Sequence, residues 1–129
     1  MPPIEQLQRP PQVHLDRLLR QGIFTTGLLL EVSETPTRRV YLADQIEADT
    51  NMVNEWRDEA LLLNLASFGP EEQALFTQAG IIGLSDLIPL SLEELERRLS
   101  NAARVLGVEM PPELLVVGWL EQAQTLVEE

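Results

Sequence analysis

The chain contains no cysteine, so it can build neither a disulfide framework nor a thiolate metal site. It contains no lysine either. All nine basic residues are arginine, set against 21 acidic ones, which gives a net charge of −12 and a pI near 4.4. A field of that sign repels phosphate backbones and anionic lipid headgroups and favours a basic partner. The imbalance is uneven: six Arg face ten acids up to Ala60, and three face eleven beyond it. Histidine occurs once, as His14, and Asp16 two residues on would not share its face of a helix, so no catalytic pair is in sight. No run approaches the ~18 apolar residues of a membrane span. The opening segment, MPPIEQLQRPP, has neither the basic start nor the apolar stretch of a secretion signal. A cytoplasmic protein without a membrane span is the expectation. Period-two alternation is missing too, so β-structure has no signal.

Helix punctuation, by contrast, is dense. Hydrophobic residues make up 44% of the 129, enough for the core of a single domain, residues 1–129. Pro2 and Pro3 precede a short helix from Ile4 to about Arg9, which Pro10 and Pro11 stop. The spacing predicts an amphipathic helix over 12–20 closed at Gly22, a turn capped by Thr25, and a helix from Thr35-Pro36 to about Ala48. A long helix over about 50–66, VNEWRDEALLLNLA at its centre, is apolar nearly all round in its second half. It reads as a rod shared by the two halves of the chain. Pro70 opens a helix to Ala79, and Leu84 to Ile88 forms a short turn before Pro89. Ser91 with Glu94 makes a capping box for a helix ending at Gly107, and Pro111-Pro112 opens the last one. The fold class expected is all-α, a compact helical bundle.

The two halves resemble each other. Gly22-Ile23 falls on Gly80-Ile81, and the same offset puts Leu29 on Leu87, Leu7 on Leu65 and Ile4 on Leu62. Further along, Val53, Trp56 and Ala60 fall on Val116, Trp119 and Ala123, with five extra residues placed around 106–112. The units run from about 3 to 60 and from about 61 to 127. Gly-Ile followed by a small or Thr residue and Leu-Leu or Leu-Ile, at Gly22–Leu30 and Gly80–Ile88, resembles the second part of helix-hairpin-helix domains. Over nearly its full length the chain resembles an uncharacterised domain family common in cyanobacteria, with two such units each ending in a Trp-containing helix. The resemblance rests on Ile4–Leu7, Gly22–Thr26, Thr35-Pro36, Leu42-Ala43, Val53–Trp56, Gly80-Ile81 and Trp119 with Ala123. It implies a fold and a cellular setting, with a link to a photosynthetic complex by analogy, and no biochemical activity.

Helix-hairpin-helix modules that bind nucleic acid hold a phosphate on backbone N–H groups of a Gly-rich hairpin. Here the hairpins read Gln8-Arg9-Pro10-Pro11 and Ala66-Ser67-Phe68-Gly69, and Glu71 and Glu72 follow the second. Two prolines offer no N–H, and the two carboxylates already answer the helix dipole. Arg9, Arg17 and Arg20 are the best remaining basic patch. Sequence-nonspecific nucleic-acid binding by degenerate hairpins is therefore the alternative reading. No phosphate loop, nucleophile elbow or EF-hand spacing is present, and no cofactor, metal or catalytic residue is expected. What remains is surface. The last helix carries Leu114, Leu115, Val117 and Val127 beyond what one apolar face needs. The pairs Arg38-Arg39 and Arg97-Arg98 read either as ordinary solvated residues, the commoner case, or as two repeated acceptors for acidic groups. Partner contacts are expected at Arg38, Arg39, Arg97, Arg98, Leu115 and Val117, with Trp56, Trp119, Gly22 and Gly80 as structural anchors. The functional expectation is a non-catalytic adaptor that binds another protein, with a homodimer through the last helix as a further expectation.

Overall fold

A computed structural model describes residues 2–126, which form two compact units divided between Asn64 and Leu65. Eight α-helices and a 3-10 turn make up the described secondary structure; there is no strand among these residues, only a single antiparallel bridge between Pro3 and Thr25. The fold is all-α.

In the first unit, α1 (Gln12–Arg20) buries Leu15 and Leu18. Its successor α2 (Thr26–Val32) is capped by Thr25, whose hydroxyl accepts from the Leu28 N–H at 3.1 Å. Thr35 caps α3 (Pro36–Gln45) in the same way, with Pro36 in the first turn where its missing N–H costs nothing. Asp49 accepts from the Asn51 N–H at 2.8 Å and opens α4 (Thr50–Leu63), on which α2 and α3 both pack. Val53, Trp56, Ala60 and Leu63, spaced three, four and three apart, form the buried face of α4.

The second unit runs through α5 (Pro70–Gln78), α6 (Leu84–Leu87), α7 (Leu92–Leu106) and α8 (Glu113–Leu126). α5 and α8 pack on α7, and α6 packs on α8. Both ends of α5 lie 58 residues beyond those of α1, and both ends of α8 lie 63 beyond those of α4. Val116, Trp119 and Ala123 are buried at the spacing of Val53, Trp56 and Ala60. α1 and α5 also end alike. The N–H of Ile23 reaches back to Leu18 O at 3.0 Å, and that of Ile81 to Phe76 O at 2.8 Å. Gly22 and Gly80 both stand at φ +81°, the left-handed position of a Schellman cap. A Cβ at either glycine would meet no atom within 4 Å, so the cost of substitution is conformational alone. Gly22→Ala and Gly80→Ala should each lower stability by about 1–2 kcal/mol, and by nearly the same amount, in urea denaturation followed by circular dichroism.

Some boundaries differ from the sequence expectation. The helix expected from Ile4 to Arg9 is the 3-10 turn Ile4–Gln6. The strand-like pairing beside it takes the backbone instead: Ile4 N–H donates to Phe24 O and Thr26 N–H to Pro2 O, each at 2.9 Å. The rod expected to residue 66 stops at Leu63. There the Asn64 side chain donates to Ala60 O at 2.7 Å and to Thr26 Oγ1 at 2.8 Å, and Ser67 turns the chain at φ +58°. α3 stops at Gln45 rather than Ala48, because Glu47 adopts φ +55° and Ala48 N–H closes back on Ala43 O at 2.8 Å. Val127, counted among the surplus apolar residues of the last helix, lies outside the described residues.

Candidate functional site: an apolar groove with an acidic rim

Four hairpin N–H groups donate to side chains of their own units. In the first unit, Gln8 and Arg9 N–H donate to the two carboxylate oxygens of Glu59 at 2.6 and 3.0 Å. In the second, Ala66 N–H donates to Gln122 Oε1 at 3.0 Å and Gly69 N–H to Glu72 Oε1 at 2.8 Å. Glu59 and Gln122 occupy matching positions on α4 and α8, three residues after Trp56 and Trp119. Glu59 is fully buried, and that loss of water pushes its carboxyl above the usual value despite the two N–H donors and the nearby Arg9. Arg9 also donates to Glu55 O at 2.9 Å and to Asp58 at 3.1 Å, while Arg17 reaches Ile46 O and the Glu47 carboxylate, both at 3.1 Å. Two of the three guanidiniums of the best basic patch are thus engaged locally.

The Arg pairs have different neighbours in the two units. Arg39 donates to Ser33 O at 2.9 Å and Glu34 O at 3.1 Å, and Arg38 to Glu31 O at 3.3 Å, at the carbonyl end of α2. Arg57 adds bonds to Leu30 O and Ser33 Oγ there, at 3.0 and 2.7 Å. Cations suit that end of a helix because its last carbonyls lack helical partners. In the second unit, Arg97 and Arg98 both bond Glu94 on their own helix and hold its carboxyl below the ordinary value. His14 lies against Trp56, ring centroids 5.3 Å apart, and its Nδ1 is buried without a hydrogen bond. Among the described residues no group of three or more His, Asp or Glu side chains converges to hold a metal ion. No described helix is long and apolar enough to cross a membrane.

Trp56 and Trp119 are both buried. Trp119 meets Phe68 and Phe76 edge to face, at 5.7 and 5.4 Å, and its indole N–H donates to Ala66 O at 2.8 Å. Of the remaining predicted contacts on α8, Val117 is half-buried and Leu115 is 37% exposed; their neighbour Leu114 is 87% exposed.

Leu115 belongs to a larger feature. With Leu106, Val108 and Met110 it lines a groove of about 580 Å³ in the second unit, between the start of α5, the loop 107–112 and the first turn of α8. Glu71, Glu72 and Glu109 also line it, and among the described residues none of the lining side chains is basic. Sequence reading found Leu115 through the apolar surplus of α8. It missed Leu106, Val108 and Met110, whose only signal was the extra length around 106–112.

The family described as a domain of unknown function, DUF4332, matches residues 11–126, across both units. The chain belongs to that family. Among curated proteins and solved structures, none matches it. The DUF4332 match includes every residue that lines the groove and leaves out the 3-10 turn before Gln12.

Proposed function

We propose that this DUF4332 domain is a non-catalytic helical adaptor that binds another protein. The observation that carries the reading is the groove beside Leu106 and Leu115, an apolar surface of which Leu106 is 40% exposed. Solvated apolar surface gathered in one concave place is unfavourable unless something covers it. The proposal includes descent from two tandem helix-hairpin-helix-like units. Matching ends of α1 and α5 and of α4 and α8, paired glycines at φ +81°, and hairpin N–H groups held by Glu59 and Gln122 all support it. A cytoplasmic setting is part of the proposal, and a cyanobacterial, photosynthetic context comes from the family resemblance; neither carries a mechanism.

Nucleic-acid binding is the weaker reading, because the Gln8, Arg9, Ala66 and Gly69 N–H groups of the hairpins already donate to Glu59, Gln122 and Glu72, and Glu71 and Glu72 put negative charge at the start of α5. The deciding pair of measurements is affinity capture by the full chain from a native lysate and titration of fluorescent DNA and RNA at low salt. The adaptor reading expects a stoichiometric protein partner and no saturable oligonucleotide binding. Tight, salt-sensitive binding of an oligonucleotide would overturn it.

A further inference from the structure

The first unit shows how the position that is open in the second can be closed. Ile46, the residue just before left-handed Glu47, is completely buried. Arg17, on α1 between buried Leu15 and Leu18, reaches this corner from the side. It donates to Ile46 O at 3.1 Å and pairs with Glu47 at 3.1 Å. A cation with apolar neighbours, carried on a helix, therefore seals the end of α3.

The matching corner of the second unit lacks that cation. Leu75 stands on α5 where Arg17 stands on α1, 58 residues on. Leu106, the residue just before left-handed Gly107, is 40% exposed where Ile46 is buried. The chain then takes six residues from Gly107 to Glu113 to start α8, against three from Glu47 to Thr50 for α4. That longer path carries Val108 and Met110 outward and leaves the groove. The acids remain: Glu71, Glu72 and Glu109 line the groove, and Glu113 begins α8 beside it.

The geometry points to a basic amphipathic helix of a partner protein as the occupant of this groove, an Arg set between Leu-like side chains, supplying from outside what Arg17 supplies from within the first unit. This rests on the adaptor reading and names its partner's chemistry. Apolar side chains cover Leu106, Val108, Met110 and Leu115, and the guanidinium meets the carboxylate lining and the carbonyl end of α7. Anionic lipid is disfavoured by the same carboxylates.

The test uses the full chain and a labelled Leu/Arg peptide of about 18 residues, long enough to wind into a helix on binding. A scrambled isomer of equal composition and a version with every Arg replaced by Glu serve as comparisons. Anisotropy should show the periodic peptide binding at least about tenfold more tightly than its scrambled isomer, with no binding of the Glu version. Leu115→Arg, at an exposed position, should weaken binding about tenfold or more, with unchanged circular dichroism. The double reversal Glu71→Arg/Glu109→Arg should do the same by charge alone, and its binding should lose salt dependence. Equal affinity for the scrambled isomer, or unchanged binding by both variants, would overturn the inference. A dimer of the chain that Leu115→Arg splits would also overturn it, in favour of a second copy. Lysate capture separates the two proposals. A partner retained by Leu115→Arg sinks the groove and leaves the adaptor standing, whereas no protein captured by the unmodified chain sinks the adaptor.

Discussion

Trp119→Ala should lower the stability of the second unit by about 3–5 kcal/mol, the largest stability loss among the substitutions proposed. The side chain is 1% exposed, so its whole apolar surface returns to a cavity or to water. Two edge-to-face contacts, to Phe68 and Phe76, are lost with it, each of the kind worth about 0.5–1.5 kcal/mol beyond buried area. The carbonyl of Ala66 also loses its indole donor. Trp119→Phe separates these contributions. It keeps a ring near Phe68 and Phe76 but removes the indole donor and part of the buried ring volume, and should cost about 1–3 kcal/mol. Urea denaturation of the two variants measures both. A Trp119→Ala cost no larger than that of Trp119→Phe would mean that the ring packing contributes little.

Much of the fold was legible because its signals are local. Thr25, Thr35 and Ser91 cap helices as hydroxyls before apolar periods do, and the glycines of Gly22-Ile23 and Gly80-Ile81 mark left-handed caps. The misplaced boundaries have non-local causes. The Ile4–Gln6 turn is short because residues 24–26 take its backbone, and α4 ends at Leu63 because Asn64 finds Thr26 from a distant helix. Nothing in composition marks Glu47 as left-handed, since a non-glycine residue adopts that conformation only where its surroundings hold it.

The candidate site was legible only at one edge. Leu115 stood out as apolar surplus on a helix whose period was clear. The groove it borders exists because three additional residues follow the left-handed turn of α7, and where a loop of that length travels is not written in its periodicity. The Arg pairs show the same limit from the other side. Arg38-Arg39 and Arg97-Arg98 look alike as dipeptides, yet the first pair meets the carbonyl end of α2, with Arg38 also pairing Glu34 just before its helix, and the second a carboxylate on its own helix. Charge type can be read from sequence. The group that answers the charge is fixed by packing.

Glu59→Ala should destabilise the first unit by about 1–3 kcal/mol, since two partly buried N–H groups lose a charged acceptor together. Those donors are Gln8 and Arg9; at the matching position of the second unit neutral Gln122 accepts a single N–H, that of Ala66. Glu59→Gln should therefore cost less than Glu59→Ala at neutral pH. One amide oxygen accepts a single N–H, and the amide nitrogen faces the other. The two carboxyl states can then be told apart by pH. Burial raises the carboxyl of Glu59 above its ordinary 4.5, so the folded chain binds its proton more readily than the unfolded chain does. The stability this contributes is fully present below 4.5 and is lost as pH rises through the folded value. Between neutral pH and a pH below 4.5, the unmodified chain should therefore gain stability relative to Glu59→Gln, even as its other carboxylates shift both proteins together. Paired denaturation curves at the two pH values read the difference directly. A relative loss instead of a gain would mean that the two N–H donors and Arg9 outweigh desolvation and hold Glu59 charged.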